Sequence, residues 1–206
     1  YKKSIGDTVG YQGHLKVRSS SGLQVQKYYG NFSGPSNDPV IPILNKNSNF
    51  SVLFSYDDNL YTGFDCHFQA AILYTTISGV RKIRVINLVS AVTEKVGDVF
   101  AFSNKDVLIN VIVRDCLSHI PEQPLISIQR SINMKVSDIF YQYRRLVSPN
   151  ETPAAFVVPD GLRTLPVYML AFEKSRILQK ITSMTKNNLR VYNMFNLNNL
   201  PLPVLS

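Results

Sequence analysis

The stretch from Leu73 to Val85 constrains the fold of this chain more than any other. Its sequence, LYTTISGVRKIRV, is typical of a strand, a turn and a second strand that is basic. Ser78-Gly79 suits the turn, because glycine adopts the positive φ angles that tight hairpin turns require. The sequence therefore predicts a β-hairpin, and with it antiparallel sheet structure, in this part of the chain.

The basic strand of this hairpin carries a candidate binding site. Lys82 and Arg84 share one face, because side chains alternate along a strand, and the other face carries Ile83 and Val85. Two cations on a rigid strand, backed by a hydrophobic face, suit the capture of a carboxylate. The residue pattern alone favours a second interpretation, in which the cations form the solvated outer face of a sandwich strand.

Short β-type runs separated by turns extend from residue 11 to about residue 95. Apolar and basic side chains alternate from Leu15 to Arg18, which fits a strand with one buried face and one solvated face. Residues 19–22 predict a hairpin turn and residues 33–39, with two prolines, predict a loop. The predicted strands are residues 14–18, 23–29, 50–56, 67–74 and 82–89. Together they predict an antiparallel β-sandwich.

From about Ser103 the hydrophobic period becomes helical. The spacing of Ser103 and Asp106 matches a capping box, and apolar residues from Val107 to Leu117 cover much of the helix surface, which predicts a central helix. Apolar residues then recur every three or four positions from residue 125 to residue 143, which predicts a long amphipathic helix. A third helix is expected from about residue 162 to about residue 178, with Pro166 tolerated in its first turns.

The two patterns predict a β + α organisation of more than one domain. We expect a β-sandwich portion over residues 1–102 and an all-α helical domain over residues 103–190. Residues 191–206 are Asn-rich and then Pro-rich, and we expect them to be a linker. Because the sequence starts with Tyr1, we expect it to be part of a longer protein.

Composition limits the classes of partner and of site. The 206 residues carry a net charge of +8, which favours an anionic partner such as an acidic membrane, an acidic peptide or a nucleic acid. The cations are dispersed, so a generally basic surface without a partner is an alternative.

Cys66 and Cys116 lie far apart in apolar segments and are predicted to be buried free thiols. Two cysteines and three scattered histidines make no plausible zinc site.

Motifs of catalysis are missing from the sequence. It contains no Gly-rich phosphate loop, no His-Glu-x-x-His and no Gly-x-Ser-x-Gly. We therefore expect no enzymatic activity.

The hairpin also resembles a known family. Residues 74–85 resemble the YTTxxGxRRIRV signature of the cargo-adaptor subunit of coat protein complex II (COPII), the Sec24 family. Further segments fit the family in the same order, and the resemblance extends over roughly residues 9–178. These segments are residues 10–23, residues 28–32, residues 108–110, a helical stretch through residues 141–144, and residues 157–168.

The resemblance implies a function and a site. Members of this family pair with a sister coat subunit, sit in the cytosol on the acidic surface of the endoplasmic reticulum membrane, and select membrane cargo by short cytosolic export signals. One family site for acidic Asp-x-Glu signals uses paired cations on the basic strand; these match Lys82 and Arg84, with Arg81 adjacent. Lys82 stands where the family often has Arg, which gives a point charge instead of a bidentate fork.

The resemblance also bears on architecture and cofactors. The family completes this sandwich with strands from before its trunk domain, so this chain is expected to expose a sheet edge. The family's zinc-binding module lies elsewhere in its chain, and no cofactor is expected here. The linker at residues 191–206 would lead toward a gelsolin-like domain.

Two other functions fit parts of the pattern. A nucleic-acid-binding sandwich could use the net charge together with aromatic faces for base stacking, unless those aromatics are packing residues. The candidate stacking residues are Tyr28, Tyr29, Tyr74 and Tyr141. A purely architectural role, in which the helical half braces a coat, would leave the basic hairpin without a ligand.

Overall fold

The computed structural model describes residues 7–34, 37–152, 157–179 and 184–199. Within these ranges the strands are β1 (Thr8–Ser19), β2 (Leu23–Tyr29), β3 (Val40–Asn45), β4 (Ser51–Tyr56), β5 (Asp65–Thr76) and β6 (Arg81–Ala91). The helices are α1 (Val96–Ala101), α2 (Lys105–His119), α3 (Leu125–Val147), α4 (Leu165–Glu173) and α5 (Met184–Asn199), with a 3₁₀ turn at Asp160–Leu162. Antiparallel sheets are followed by helices, which confirms the predicted fold class.

The strands form two antiparallel sheets. The larger has the order β3-β1-β5-β6, and the smaller pairs β2 with β4. Phe54 of β4 contacts Phe68 of β5 with ring centroids 5.0 Å apart, which identifies the face of the larger sheet that meets the smaller one. Leu15 and Cys66 are buried in this unit.

The register of β5 with its two neighbours decides which side chains share a face. Ile72 of β5 lies opposite Leu15 of β1 on one side and opposite Arg84 of β6 on the other. Residues directly opposite each other in antiparallel strands point to the same face of a sheet. The face of Phe68 and Ile72, which we call the inner face, therefore also carries Arg84.

Strand β3 was not predicted from the sequence. It contains Pro42, and proline disfavours a strand because it cannot donate a hydrogen bond to the ladder. The structure places β3 at one edge of the larger sheet, with Pro42 exposed, and an edge is where proline is tolerated.

The helical unit has its own core. Ile132 of α3 is completely buried, and the predicted long amphipathic helix is confirmed as α3. Lys135 of α3 donates a hydrogen bond to Asp115 of α2, so an ion pair also joins these helices. The buried apolar residues of this core are Ile109, Ile112, Val113, Cys116, Leu117, Ile128, Ile132, Leu162, Leu165, Met169, Phe172, Ile177 and Leu178.

Two ionisable groups lie inside this core. Burial raises the pKa of the Cys116 thiol to about 11, so the thiol is protonated at neutral pH. Burial lowers the pKa of Arg114 to about 10, which leaves the guanidinium charged. Both cysteines are buried free thiols, as the sequence predicts.

The cap of α2 differs from the predicted capping box. Asn104 is the N-cap, and its side-chain oxygen accepts hydrogen bonds from the backbone amides of Asp106 and Val107. The Ser103 hydroxyl instead donates to the carbonyl of Val99, 2.6 Å away, in the preceding turn. The sequence pattern placed the helix start one residue too early, because Ser and Asn are both good caps.

The chain divides into two compact units between Val92 and Thr93. The domain boundary expected at 102/103 stays a prediction. Helix α1 belongs to the helical unit because Phe100 packs edge-on against Tyr143 of α3, with ring centroids 5.0 Å apart. The third helix is also shorter than expected, since α4 ends at Glu173.

The expected linker begins inside a helix. Residues 191–199 form the C-terminal half of α5, and residues 200–206 lie outside the described residues. Met194 and Leu197 of α5 pack against the helical core, and this burial outweighs the weak helix propensity of the surrounding asparagines. Among the described residues, no helix is both long enough and apolar enough to cross a bilayer.

The cap assignment gives a test. We expect Asn104→Ala to lower the free energy of unfolding by about 1 kcal/mol, because two amides at the start of α2 lose their acceptor. Ser103→Ala is the matched control and should cost less, since Ser103 does not cap α2. Urea unfolding followed by circular dichroism would measure both; a larger loss for Ser103→Ala would contradict the assignment.

Candidate functional site

The turn of the β5–β6 hairpin is fixed by the side chain of Thr76. Its hydroxyl accepts a hydrogen bond from the amide of Val80 at 3.1 Å and lies 3.0 Å from the carbonyl of Val80, to which it donates. Gly79 has a φ of 81°, in the left-handed region where other residues are strained. The turn predicted at Ser78-Gly79 is therefore present, and Thr76 closes it.

Arg81 is the first residue of β6 and lies opposite Thr75. Its Nη1 atom donates a hydrogen bond to the Thr75 hydroxyl at 3.2 Å. By the alternation of the strand, Arg81 lies on the outer face of the sheet, with Ile83 and Val85. The structure therefore does not bring the three sequence-predicted site residues together on one face.

Lys82 and Arg84 do share a face, and it is the inner one. Lys82 lies opposite Tyr74, and Arg84 lies opposite Ile72. Both cations are exposed, and neither has a hydrogen-bond or ion-pair partner among the described residues. They lie on the inner instead of the outer face, but they are solvated, as the other interpretation of the pattern expects.

Strand β6 is exposed along its whole length because it is an edge strand. The outer-face residue Ile83 is 68% exposed and the inner-face residue Leu88 is 62% exposed. The hydrophobic face expected behind the cations is therefore exposed: among the described residues, nothing buries it. The exposed edge agrees with the expectation drawn from the family resemblance.

This geometry can hold an anion. Two unpaired cations project from one face of a rigid strand, about 7 Å apart by strand geometry, beside the half-buried Tyr74. A carboxylate placed there would form charge-assisted hydrogen bonds, of which the fork of Arg84 could make two. Alternation alone predicted that Lys82 and Arg84 share a face. It could not show which side of the sheet that is, because the side depends on pairing with β1 and β5.

Comparison with known proteins agrees with the architecture. Residues 10–93 match the Sec23/Sec24 beta-sandwich domain, and residues 104–206 match the Sec23/Sec24 helical domain. The chain belongs to the Sec23/Sec24 family. The sandwich domain precedes the helical domain, in the order expected from the sequence.

Curated relatives include proteins named as Sec24 and SED5-binding protein 3. The chain is 39% identical over 198 residues to SED5-binding protein 3 of Saccharomyces cerevisiae. This alignment covers 96% of the chain and 21% of the yeast protein. The chain is 32% identical over 166 residues to protein transport protein SEC24 B of Arabidopsis thaliana. That alignment covers 80% of the chain and 15% of the plant protein. The chain thus spans about a fifth or less of these relatives.

A solved structure shows the same fold. The human COPII-coat protein Sec24c superposes with a TM-score of 0.89 at 22% identity, over 99% of this chain and 27% of that one. The sandwich and helical architecture is therefore that of the Sec23/Sec24 family. The resemblance drawn from the hairpin motif is confirmed at the level of the family.

The hairpin turn gives a second test. We expect Gly79→Ala to destabilise the turn by about 1 kcal/mol, because a side chain at positive φ is strained. Gly97→Ala in α1 is the control and should be neutral or stabilising, since its added methyl group meets only Val147 at 3.8 Å. Hydrogen exchange of residues 74–84 should quicken in the first variant only; unchanged exchange there would contradict the role of Gly79.

Proposed function

We propose that this chain is the sandwich and helical part of a non-enzymatic COPII coat subunit that selects cargo for transport from the endoplasmic reticulum to the Golgi. The observation that carries the proposal is the match of both domains, in order, to the Sec23/Sec24 family. The names of the relatives, which describe transport and coat proteins, support the same role.

Cargo reading is assigned to the inner face of β6. Lys82 and Arg84 lie there without partners among the described residues, so binding an acidic export signal would break no existing ion pair. The ligand would gain charge-assisted hydrogen bonds at little cost in lost contacts. Arg81 faces the other way and is bonded to Thr75, so we assign it to holding the hairpin.

Partners and location follow from the same proposal. The subunit pairs with a Sec23-type coat subunit and works in the cytosol as a peripheral protein on the endoplasmic reticulum membrane. Its net charge of +8 favours contact with an acidic membrane surface. No cofactor is assigned to this chain.

Two of the four candidate stacking residues, Tyr28 and Tyr29, do not favour the nucleic-acid alternative. Tyr29 is 4% exposed, so its ring is not available for base stacking. Tyr28 packs edge-on against Phe32, and its hydroxyl accepts a hydrogen bond from the amide of Val17. These tyrosines serve packing in the sandwich.

The decisive variant is Lys82→Ala/Arg84→Ala in the full-length protein that carries this sequence. We expect about tenfold weaker binding of an acidic export-signal peptide, because both cations of the inner face are lost. The control is Lys174→Ala/Arg176→Ala, which removes the same charge from exposed positions of the helical unit. Isothermal titration with the peptide and a pull-down of Sec23 would measure the two functions separately.

Each outcome of this experiment has a meaning. Loss of peptide binding with intact Sec23 pairing supports cargo reading on β6. Unchanged peptide binding would make the hairpin architectural. Failure of the unmodified protein to pair with Sec23 would contradict the coat assignment itself.

A further inference from the structure

The loop that joins β4 to β5 exposes large aromatic side chains. Tyr61 is 70% exposed and Phe64 is 72% exposed, and Tyr56, at the end of β4, is 78% exposed. None of these rings takes part in an aromatic or cation–π contact among the described residues. We call residues 56–65 the aromatic loop. Large apolar side chains grouped on one exposed surface are typical of an interaction site.

Backbone contacts hold the aromatic loop in a defined shape. The amide of Asp57 donates to the carbonyl of Gly22 at 3.0 Å. Leu60 packs so close to Gly22 that a Cβ atom there would lie 2.7 Å from the Cδ2 atom of Leu60. The amide of Phe64 donates to the carbonyl of Tyr61 at 3.3 Å, which closes a turn and brings these two residues close together. A surface that is ordered before binding loses little conformational entropy when a partner covers it.

The aromatic loop is locally acidic although the chain as a whole is basic. Asp57, Asp58 and Asp65 are exposed, and none of them forms an ion pair with another described residue. Between Lys46 and Arg81 the sequence contains no lysine or arginine and no further acidic residue. A partner that covers the aromatic loop must therefore supply cations, or bury these carboxylates without compensation.

The charge of the loop distinguishes between kinds of partner. Aromatic side chains suit the interface of a membrane, but acidic lipids would repel the three carboxylates. The phosphates of a nucleic acid would repel them for the same reason. A segment rich in lysine and arginine fits both features, because its cations can stack over aromatic faces and form charge-assisted hydrogen bonds with carboxylates.

We propose that the aromatic loop binds a segment of a partner protein that is rich in lysine and arginine. Cations of this segment lie over the rings of Tyr61 and Phe64, and further cations pair with Asp57, Asp58 and Asp65. The ligand has the opposite charge to the ligand of the hairpin site, so the two sites do not compete for one segment. The proposal does not depend on the proposed function, since it uses no residue of β6.

The test uses a fluorescent peptide of alternating Arg and Ser, with a peptide in which citrulline replaces Arg as the uncharged control. In the full-length protein that carries this sequence, Tyr61→Ala/Phe64→Ala should weaken binding of the Arg peptide about tenfold, because both rings are lost. Phe102→Ala is the matched control, since it removes an aromatic side chain that is 87% exposed in the helical unit. It should change the affinity less than about twofold. Fluorescence anisotropy measures the affinities.

A second variant tests the carboxylates. Asp57→Asn/Asp58→Asn removes two charges and keeps a side-chain oxygen that can accept the hydrogen bond from the amide of Asn59. It should weaken binding of the Arg peptide about tenfold and make the affinity less dependent on salt. A measurement on the unmodified protein covers the case of a folding defect in a variant: the Arg peptide should slow hydrogen exchange of residues 57–65.

Several outcomes would overturn the proposal. The Arg and citrulline peptides could bind equally, Phe102→Ala could lose as much affinity as the loop variant, or Asp57→Asn/Asp58→Asn could leave the affinity unchanged. Vesicles containing phosphatidylserine could slow exchange of residues 57–65 while the Arg peptide does not. Slow exchange of these residues in the full-length protein without peptide would show that another segment already covers the loop, and this too would overturn the proposal.

Discussion

Strand β5 is hydrogen-bonded on both sides, to β1 and to β6, and this two-sided antiparallel pairing sets the arrangement of the larger sheet. A slip of one residue between β5 and β6 would move Lys82 and Arg84 from the inner to the outer face. The half-buried run from Ile72 to Thr76 and the turn closed by Thr76 oppose such a slip, because both depend on the present register.

The same register explains why the basic strand can serve a ligand. Lys82 and Arg84 lie on the side of the sheet that is buried at Leu15, yet they stay exposed because β6 is at the edge. Charges on an edge strand also discourage unwanted pairing with other strands, so these cations have a role in solubility even without a ligand. The helical unit has a core of its own, in which Ile132 is buried.

Local patterns were enough to predict the hairpin, the long helix α3 and the buried thiols, because each depends on alternation, helical period or apolar context. The motif in the hairpin led to the family, and both domain matches confirm it. What the sequence could not show depends on tertiary contacts: Pro42 is tolerated because β3 is at an edge, and α5 is helical because Met194 and Leu197 reach the core. The side of the sheet on which Arg81 lies likewise follows from strand order, which no local pattern encodes.

The central claim is that the inner face of β6 reads an acidic signal. The most direct test is a crystal structure of the full-length protein bound to an acidic export-signal peptide. The account predicts a peptide carboxylate within hydrogen-bond distance of the Arg84 guanidinium, on the same side of the sheet as Tyr74. A carboxylate bound instead on the side of Arg81 and Ile83, or a peptide bound away from β6, would contradict it.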